Sequence, residues 1–244
     1  MGRDGRAEGR ILIGTSGWQY DSWSEPFYGG STPSLTAYAA RLPAVEINGT
    51  FYGLPDRDTV ADWAARVADG FVFSAKASRY LTHMKKLKDP DEPVERFFDA
   101  VAPLGSALEV VLFQLPPKWR CNPDRLAAFL DALPEGYRHA FEFRDPSWYT
   151  EEVADILRSH GAAFCIYHLG DHRSPSTVTA DFVYVRLHGA AGRYRGSYSN
   201  DDLAAWAGAV TAWARSGRDV YLYFDNDQEA AAPRDATRLI DMVT

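Results

Sequence analysis

Several apolar runs of the sequence end in polar residues that stand two positions apart. Because alternate residues of a β-strand face the same side, each pair places two polar side chains on one face at the carboxyl end of a strand. Burying an ionisable side chain is costly unless it is paired or solvated, so these strands predict a common polar cavity. The polar residues at the strand ends are Glu46, Asn48, Ser74, Lys76, Gln114, Glu142, Arg144, Tyr184, Arg186 and His188.

The residue types at these strand ends fit the hydrolysis of a phosphate ester. His188 or Glu46 would activate the attacking water, and a lysine or arginine would stabilise the charge that develops on the phosphate oxygens. These cationic residues contrast with the net charge of -7 of the whole chain, and the contrast predicts a local site for an anionic substrate. The candidate catalytic residues are Glu46, Lys76, Glu142, Arg144, Arg186 and His188.

Two other functions fit the same residues. Glu46 and Glu142 are candidates for the paired acid and base of a carbohydrate-active enzyme, although the neighbouring Lys76 and Arg144 do not favour a general acid. Alternatively, Glu46 with Lys76 and Glu142 with Arg144 form structural ion pairs. The protein would then bind a nucleotide or a phosphorylated metabolite without turnover.

A metal-dependent mechanism is a further alternative. The candidate ligands are Glu46, Glu142, His83, His168, His188 and Asp225. Lysine and arginine side chains are interspersed among them, and their positive charges argue against a crowded metal cluster. A divalent metal is therefore not favoured, and the cofactor is left unassigned.

The loops that follow the strands carry aromatic and cationic residues. The aromatic residues nearest the polar strand ends are Trp18, Phe51, Tyr52 and Trp148. Aromatic faces at the mouth of a site suit stacking on a sugar or a nucleobase. After the seventh strand, the stretch GAAGRYRGSYSNDD places Arg193 and Tyr194 between glycines, and an arginine there would grip a phosphate. A small anionic or sugar-phosphate ligand is therefore the expected partner.

The order of the predicted elements indicates how the strand ends are brought together. Strands are predicted at Ile11 to Thr15, Ala44 to Asn48, Phe71 to Lys76, Val110 to Leu115, His139 to Arg144, Ala163 to Tyr167, Phe182 to His188 and Val220 to Phe224. Helices are predicted at Ser34 to Arg41, Asp58 to Ala68, Pro93 to Val101, Pro123 to Asp131, Glu151 to His160, Asp201 to Arg215 and Arg234 to Met242. This alternation predicts an α/β fold, a single (β/α)8 TIM barrel, with a doubly wound open sheet as the runner-up. Residues His168 to Asp181 lack helical periodicity, so a long loop is expected in place of the sixth helix.

Composition and charge limit the other functions. Residues 1–10 are charged and glycine-rich and are interpreted as a disordered tail, with residues 11–244 as one TIM-barrel domain. The net charge of -7 argues against a protein that coats duplex nucleic acid or an anionic membrane, although a local basic pocket for nucleic acid remains open. No segment is apolar enough to span a bilayer. The two cysteines, Cys121 and Cys165, are expected to be reduced thiols of a cytoplasmic protein.

Short motifs along the chain resemble those of the YecE-like family, also called domain of unknown function 72. In chain order they read GTSGWQYDSW, VEINGTFYGLP, FSAK, FQLPP, EFRDPSW, VRLHG and YFDN. The resemblance runs from about Ile11 to the last helix and keeps the motif order. It implies a TIM barrel whose activity is not established, and a metal-dependent endonuclease-like role is suggested by analogy of fold alone.

The resemblance also implies a shared pocket. Where the family commonly has two asparagines after the last strand, this chain has Asp225 and Asn226, and Asp225 would add a negative charge. The motif positions that the resemblance places in this pocket, besides the candidate catalytic residues, are Gly14, Ser16, Trp18, Asn48, Thr50, Phe51, Tyr52, His83, Gln114, Trp148, Gly189 and Asn226.

Overall fold

In the described part of the chain, the centre of the fold is one curled sheet of ten strands. A computed structural model describes residues 7–192 and 194–244. The strands are β1 (Ile11–Ser16), β2 (Ala44–Ile47), β3 (Val72–Lys76), β4 (Leu108–Gln114), β5 (Arg138–Glu142), β6 (Ala163–Phe164), β7 (Ile166–Leu169), β8 (His172–Arg173), β9 (Phe182–Leu187) and β10 (Asp219–Phe224). Their order in the sheet is β6-β5-β4-β3-β2-β1-β10-β9-β7-β8. All pairs are parallel except β7 with β8.

Among the described residues, seven α-helices connect or follow the strands. They are α1 (Leu35–Ala39), α2 (Arg57–Ala65), α3 (Asp91–Val101), α4 (Pro123–Asp131), α5 (Glu151–Ser159), α6 (Asn200–Arg215) and α7 (Ala231–Val243). Several begin after a polar residue whose side chain accepts a hydrogen bond from an amide of the first turn. These N-caps, which satisfy amides that would otherwise lack a partner, are Ser34, Asp56, Asn122, Thr150 and Ser199.

The predicted elements are found at the predicted places, with two differences in the sheet. All seven predicted helices overlap α1 to α7, and no helix lies in the described stretch between β7 and β9. The predicted sixth strand is divided at Cys165 into β6, which pairs with β5, and β7, which pairs with β9. The additional strand β8 turns back antiparallel on β7. The architecture shown is an α/β fold around a curled, mainly parallel sheet.

The inner face of the strands, which points into the curl of the sheet, changes from apolar to polar along the length of the strands. The amino-terminal half of this face is apolar and forms a compact cluster that includes Leu12, Val72, Val110, Ala140, Tyr184 and Tyr221. Two or four positions further along the same strands, the inner residues are polar. Because the period of a strand is two, the same alternation that builds the apolar cluster also turns the polar strand ends inward.

The opposite end of the sheet is held together by ion pairs. The Arg10 guanidinium contacts Glu109 and Asp219, each at 2.7 Å, and Arg138 contacts Asp219 at 2.8 Å. The main-chain N–H of Gly9 donates to the carbonyl of Ala214. Residues 9 and 10 therefore pack against the sheet, whereas residues 1–6 of the predicted tail lie outside the described residues.

Two further expectations concern the thiols and the membrane. Cys121 and Cys165 are free thiols. Within the described ranges, no helix has the length and apolarity that crossing a membrane requires.

Candidate functional site

Arg186 lies at the centre of a buried charge network at the carboxyl ends of the strands. Its guanidinium donates from Nη1 to Glu142 Oε2 at 2.8 Å and from Nη2 to Glu46 Oε1 at 2.7 Å. A third contact joins Nη2 to Asp225 Oδ2 at 3.1 Å. Arg186, Glu46 and Glu142 are all fully buried. One guanidinium from β9 thus links carboxylates that follow or belong to β2, β5 and β10.

The two buried glutamates have further partners. Glu46 accepts hydrogen bonds from the Ser16 hydroxyl at 2.6 Å and the Tyr184 hydroxyl at 2.7 Å. Glu142 is also paired with the Arg144 guanidinium. Burial pushes the pKa of Glu142 upward, but the charges of Arg144 and Arg186 outweigh it and hold the pKa well below its ordinary range. Glu142 is therefore a carboxylate near neutral pH.

His188 connects this network to Asp225. Its Nδ1 lies 2.8 Å from Asp225 Oδ2, and its Nε2 lies 2.9 Å from Arg144 Nη2. Because a guanidinium only donates, we assign Nε2 as the acceptor and the proton to Nδ1, which donates to Asp225. Burial raises the pKa of Asp225, but the charge of Arg186 and the bond from His188 lower it overall. The imidazole is held by partners on both nitrogen atoms.

Lys76, at the end of β3, is the buried cation without a carboxylate partner. Its ammonium lies 4.3 Å from the centre of the Phe51 ring, and the residue is 6% exposed. Among residues 7–192 and 194–244, no carboxylate oxygen is within ion-pair distance of it. Burial and the nearby charge of Arg186 lower the pKa of Lys76 to about 8, against the opposing influence of Glu46 and Asp225.

The turn after β2 fixes the position of Lys76. The Thr50 hydroxyl donates to the carbonyl of Lys76 at 2.7 Å and contacts the carbonyl of Ile47 at 3.0 Å. The next residue, Phe51, then lies beneath the ammonium. Predicted residues Thr50 and Phe51 thus support Lys76 rather than face the ligand space.

Lys76 lines a cavity of about 850 Å³ at this end of the sheet. The cavity is lined by Gly17, Trp18, Gln19, Tyr20, Ile47, Asn48, Gly49, Tyr52, Trp63, Lys76, Tyr194, Arg195, Asp225, Asp227 and Gln228. Of the predicted site residues, Trp18, Asn48, Tyr52, Lys76 and Tyr194 therefore lie on its wall. Some of the inward-facing polar residues at the strand ends lie on this wall, and the others belong to the buried charge network.

Other predicted residues lie away from the cavity wall. Trp148 is fully buried, stacks on Phe143 and donates its indole N–H to the carbonyl of Trp119 at 2.7 Å, so it occupies a core position. His83 packs edge-on against Phe51, and burial together with the charge of Lys76 lowers its pKa to about 4. Gln114 ends β4 opposite Glu142. Arg193 lies outside the described residues.

Asn226 holds a loop of the cavity in place. Its amide donates to the carbonyl of Gly196 at 2.8 Å and to Asp235 Oδ2 at 2.9 Å. Asp235, fully buried in α7, also accepts from the amide of Tyr198 at 2.9 Å. Gly189 begins this loop with φ of +116°, and an added Cβ would lie 2.4 Å from the carbonyl oxygen of Arg195. The loop that brings Tyr194 and Arg195 to the cavity is thus tied to α7.

Replacing Asn226 with alanine is expected to loosen this loop. The carbonyl of Gly196 loses its donor, and leaving a buried polar group unpaired costs about 1–3 kcal/mol. Hydrogen exchange of the amides of Tyr194 and Tyr198 measures the change, because they donate to His188 and Asp235, respectively. Faster exchange at both amides, with unchanged exchange in β4, is the expected result. Uniformly faster exchange across the sheet would mean that Asn226 supports the whole fold.

Some residues of the cavity wall were not among the predicted site residues. They are Gly17, Gln19, Tyr20, Ile47, Gly49, Trp63, Arg195, Asp227 and Gln228. Asp225, predicted only as a candidate metal ligand, also lies on the wall. The sequence carries a signal for Asp227 and Gln228, because the polar run Asp225 to Gln228 directly follows the eighth predicted strand. Trp63 comes from α2 and reaches the cavity beside Trp18, their rings 5.5 Å apart. Because Trp63 belongs to a helix, the pattern of polar residues at strand ends could not identify it.

The candidate metal ligands do not form a metal centre. Within the described ranges, no group of three or more histidine, cysteine, aspartate and glutamate residues is placed to hold a metal ion. Carboxylate oxygens of Glu46, Glu142 and Asp225 are instead bonded to the Arg186 guanidinium. Because the Arg186 guanidinium already lies between these three carboxylates, they do not fit a divalent metal ion as a set of ligands.

Known proteins share this architecture and sequence. The chain is 23% identical to UPF0759 protein YunF of Bacillus subtilis over 96% of its own length and 94% of that protein. It is 31% identical to UPF0759 protein YecE of Escherichia coli over 62% of its own length and 54% of that protein. The crystal structure of a DUF72 family protein from Thermotoga maritima superposes with a TM-score of 0.86 at 28% identity, covering 96% of this chain and 99% of that one.

These similarities agree with the order of motifs along the chain, from the first strand to the last helix. The sequence model of one family matches residues 12–244, which include every strand and helix around the cavity. The resemblance to the YecE-like family is thereby confirmed. The chain belongs to the family described as Protein of unknown function DUF72.

Proposed function

We propose that the cavity binds a small ligand with a phosphate group and that the protein hydrolyses a phosphate ester there. The observation that carries this proposal is Lys76, a buried ammonium on the cavity wall without a carboxylate partner among the described residues. A cation that has been desolvated and left unpaired gains most when an anion binds beside it.

The charge balance of the site assigns the anion to Lys76 rather than to the buried arginines. Arg144 and Arg186 are already paired with Glu142, and Arg186 also contacts Glu46 and Asp225. Their positive charges are therefore largely compensated inside the protein. Arg195 on the cavity wall is the other cation available to a ligand, and no described residue forms an ion pair with it.

Two polar atoms on the cavity wall support a bound ligand. Trp18 Nε1 is a buried donor and Asn48 Oδ1 a buried acceptor, and neither has a hydrogen-bond partner within the described protein. Buried polar groups usually find a partner in the protein, in water or in a ligand. The aromatic faces of Tyr52 and Trp63 line the same space and suit a sugar or a nucleobase.

Asp227 is the candidate for proton transfer to or from the attacking water. It lines the cavity, and burial and the negative charge of Asp225 raise its pKa. A raised pKa makes a carboxylate a stronger base once it is ionised. In this proposal Asp227 accepts a proton from water while Lys76 stabilises the charge on the phosphate oxygens. Glu46, Glu142 and His188 then act by holding Arg186 and Asp225 in place.

Binding without turnover is the second candidate function. The observation that favours it is that the predicted catalytic groups Glu46, Glu142 and His188 are buried and bonded to one another through Arg186 and Asp225. Such a network could serve only to shape the cavity. A carbohydrate-active enzyme is less well supported, because the lowered pKa of Glu142 opposes a general acid.

The proposal takes the sheet to be a single closed (β/α)8 barrel. The continuous stretch Ala163–Leu169 supports closure, since its first part pairs with β5 and its last part with β9. In a closed barrel the cavity would lie at the carboxyl ends of the strands, where barrel enzymes carry their active sites. A cytoplasmic location is proposed from the two free thiols, with a phosphorylated metabolite as the ligand and nucleic acid as the larger alternative.

Inorganic phosphate is expected to raise the melting temperature of the protein, and a Lys76→Met variant is expected to lose this response. Saturation to about 100 times the Kd corresponds to about 3 kcal/mol of stabilisation. Differential scanning fluorimetry with phosphate, and with chloride at equal ionic strength, measures it. The control variant Lys118→Met removes an exposed lysine and should respond like the parent protein.

The same proteins test turnover. Release of inorganic phosphate from a panel of sugar phosphates and nucleotides should be lost in Lys76→Met and kept in Lys118→Met. Stabilisation by phosphate without any release would support the binding protein instead. An equal phosphate response in Lys76→Met and the parent protein would contradict both functions.

A further inference from the structure

Lys76 differs from the other lysines of the chain. Of the five lysines, only Lys76 is buried, and it alone lines the cavity. Lys85 pairs with Asp89 on the surface, and Lys118 is exposed. A desolvated lysine beside another cation meets the structural conditions for an amine nucleophile.

We propose that Lys76 Nζ adds to the carbonyl carbon of a small aldehyde or ketone in the cavity and forms an imine with it. This goes beyond binding and hydrolysis of a phosphate, because the lysine becomes covalently attached to the ligand. The geometry that supports the proposal is the unpaired amine at the cavity wall. The Phe51 ring centre lies 4.3 Å from the amine, and Lys76 lines the cavity.

The surroundings of Lys76 favour the unprotonated amine. Burial, first, and the charge of Arg186, second, lower its pKa to about 8, so a usable fraction is unprotonated near neutral pH. A carboxylate in direct contact would oppose this, and none is present among the described residues. The charged and titratable groups that surround it are Arg186, Glu46, Asp225, Glu142 and His83.

The reaction balances without an oxidant or reductant. The lone pair of the amine forms the carbon–nitrogen bond, and the carbonyl π pair moves to oxygen, which takes a proton while nitrogen loses one. The hydroxyl of the resulting carbinolamine is then protonated and leaves as water while the nitrogen lone pair forms the double bond, and the iminium nitrogen finally releases its remaining proton. Amine and carbonyl compound thus give imine and water.

Asp227 is the candidate to supply the proton for the departing hydroxyl. It lines the same cavity as Lys76. Burial and the charge of Asp225 raise its pKa, which favours the protonated carboxyl group that such a step requires. The cavity of about 850 Å³ accommodates a small aldehyde or ketone with room for a polar tail beside Arg195.

Reductive trapping tests the inference. The protein is treated with glycolaldehyde and sodium cyanoborohydride in phosphate-free buffer, so that hydride transfer to the imine carbon leaves a stable secondary amine. Peptide mass spectrometry then gives the modification rate at each lysine. Lys76 is expected to react about tenfold or more faster than Lys118, with a rate that rises through about pH 8.

Control measurements separate chemistry from accessibility. In urea-unfolded protein the preference for Lys76 should vanish, and Asp227→Asn should slow trapping at Lys76 while leaving Lys118 unchanged. Modification of native Lys76 at the rate of Lys118 or more slowly would overturn the inference. A modification rate at Lys76 that does not change between about pH 6 and about pH 9 would also overturn it.

Competition with phosphate distinguishes this inference from the proposed function. Phosphate held by the Lys76 ammonium would keep the amine protonated, so inorganic phosphate should slow trapping if both ideas hold. Rapid trapping that phosphate does not affect would support the imine and count against the phosphate site. Stabilisation by phosphate with no preferential trapping would support the phosphate site and reject the imine.

Discussion

Replacing Lys76 with methionine is expected to stabilise the protein by about 2–3 kcal/mol near neutral pH. The folded protein lowers the pKa of this lysine from 10.5 to about 8, which means that folding disfavours its charged form. Methionine has a similar length and carries no charge, so it removes this penalty. The loss of the contact with Phe51 offsets a smaller part of the gain.

The pH dependence of this effect has a defined sign. The unfolded chain holds the lysine proton up to about pH 10.5, whereas the folded protein releases it near pH 8. Between these values the unfolded state binds more protons, so the parent protein gains stability from this group as the pH rises. The advantage of Lys76→Met is therefore complete below about pH 8 and fades towards about pH 10.

Urea unfolding of the two proteins at about pH 7 and about pH 10 measures the difference. Lys85→Met is the matched control, because its lysine pairs with Asp89 on the surface, and it should change stability little. If Lys76→Met were less stable than the parent at neutral pH, the ammonium would have to be held by favourable contacts. The expected gain would instead mark Lys76 as a residue that costs stability, as functional groups often do.

Replacing Arg186 with methionine is expected to destabilise the protein by about 3–5 kcal/mol. The change leaves Glu46, Glu142 and Asp225 without the guanidinium that contacts all three at 2.7 to 3.1 Å. Removing one partner of a buried ion pair exposes the remaining charge to the full cost of desolvation. The exposed Arg158, which pairs with Glu151 and Asp155 on α5, offers a control variant with little expected effect.

The cost of the Arg186→Met change should become smaller as the pH falls. In the parent, the pKa values of Glu142 and Asp225 are lowered, so their contribution is present above the unfolded pKa near 4 and is lost as the pH falls. In the variant, Arg144 still lies beside Glu142 and His188 beside Asp225, so burial is opposed by fewer partners and both pKa values are less strongly lowered. The stability difference between parent and variant should therefore be smaller at about pH 5 than at about pH 7.

Urea midpoints at these two pH values test the expectation. Should Arg186→Met not fold, the Arg186→Met/Glu46→Gln double variant provides the measurement, because it removes a carboxylate whose ion-pair partner among the described residues is Arg186. It is expected to be more stable than the single variant. If the single and double variants lost equal stability and both kept the pH response of the parent, Arg186 would contribute packing rather than charge compensation.

The positions of most strands and helices, and the inward polar face of the strands, could be predicted from the sequence. The period-two spacing of Ser74 with Lys76, and of Tyr184 with Arg186 and His188, was sufficient to assign each to the inner face. The helices were equally accessible, since capping residues such as Asn122 stand directly before them. The division of the sixth strand at Cys165 had no signal, because the run from Ala163 to Tyr167 is uniformly apolar or aromatic apart from the cysteine.

The roles within the site could be predicted less well. The sequence suggested Glu46 with Lys76 and Glu142 with Arg144 as pairs of neighbours, and the second pair is present. Glu46 is instead bonded to Arg186, 140 residues away, and Lys76 is left unpaired. Trp148 and Asn226 likewise sit beside polar strand ends in the sequence, yet one lies in the core and the other secures a loop.

The sequence by itself determined which face of each strand is polar, because that depends only on spacing along one segment of chain. The tertiary structure decided which charges compensate one another. Ion pairs require atoms within a few ångströms, and that proximity is set by the lateral order of the strands and the curl of the sheet, not by spacing along one strand. For this reason only the fold shows that three carboxylates converge on Arg186 and leave the Lys76 amine facing the cavity.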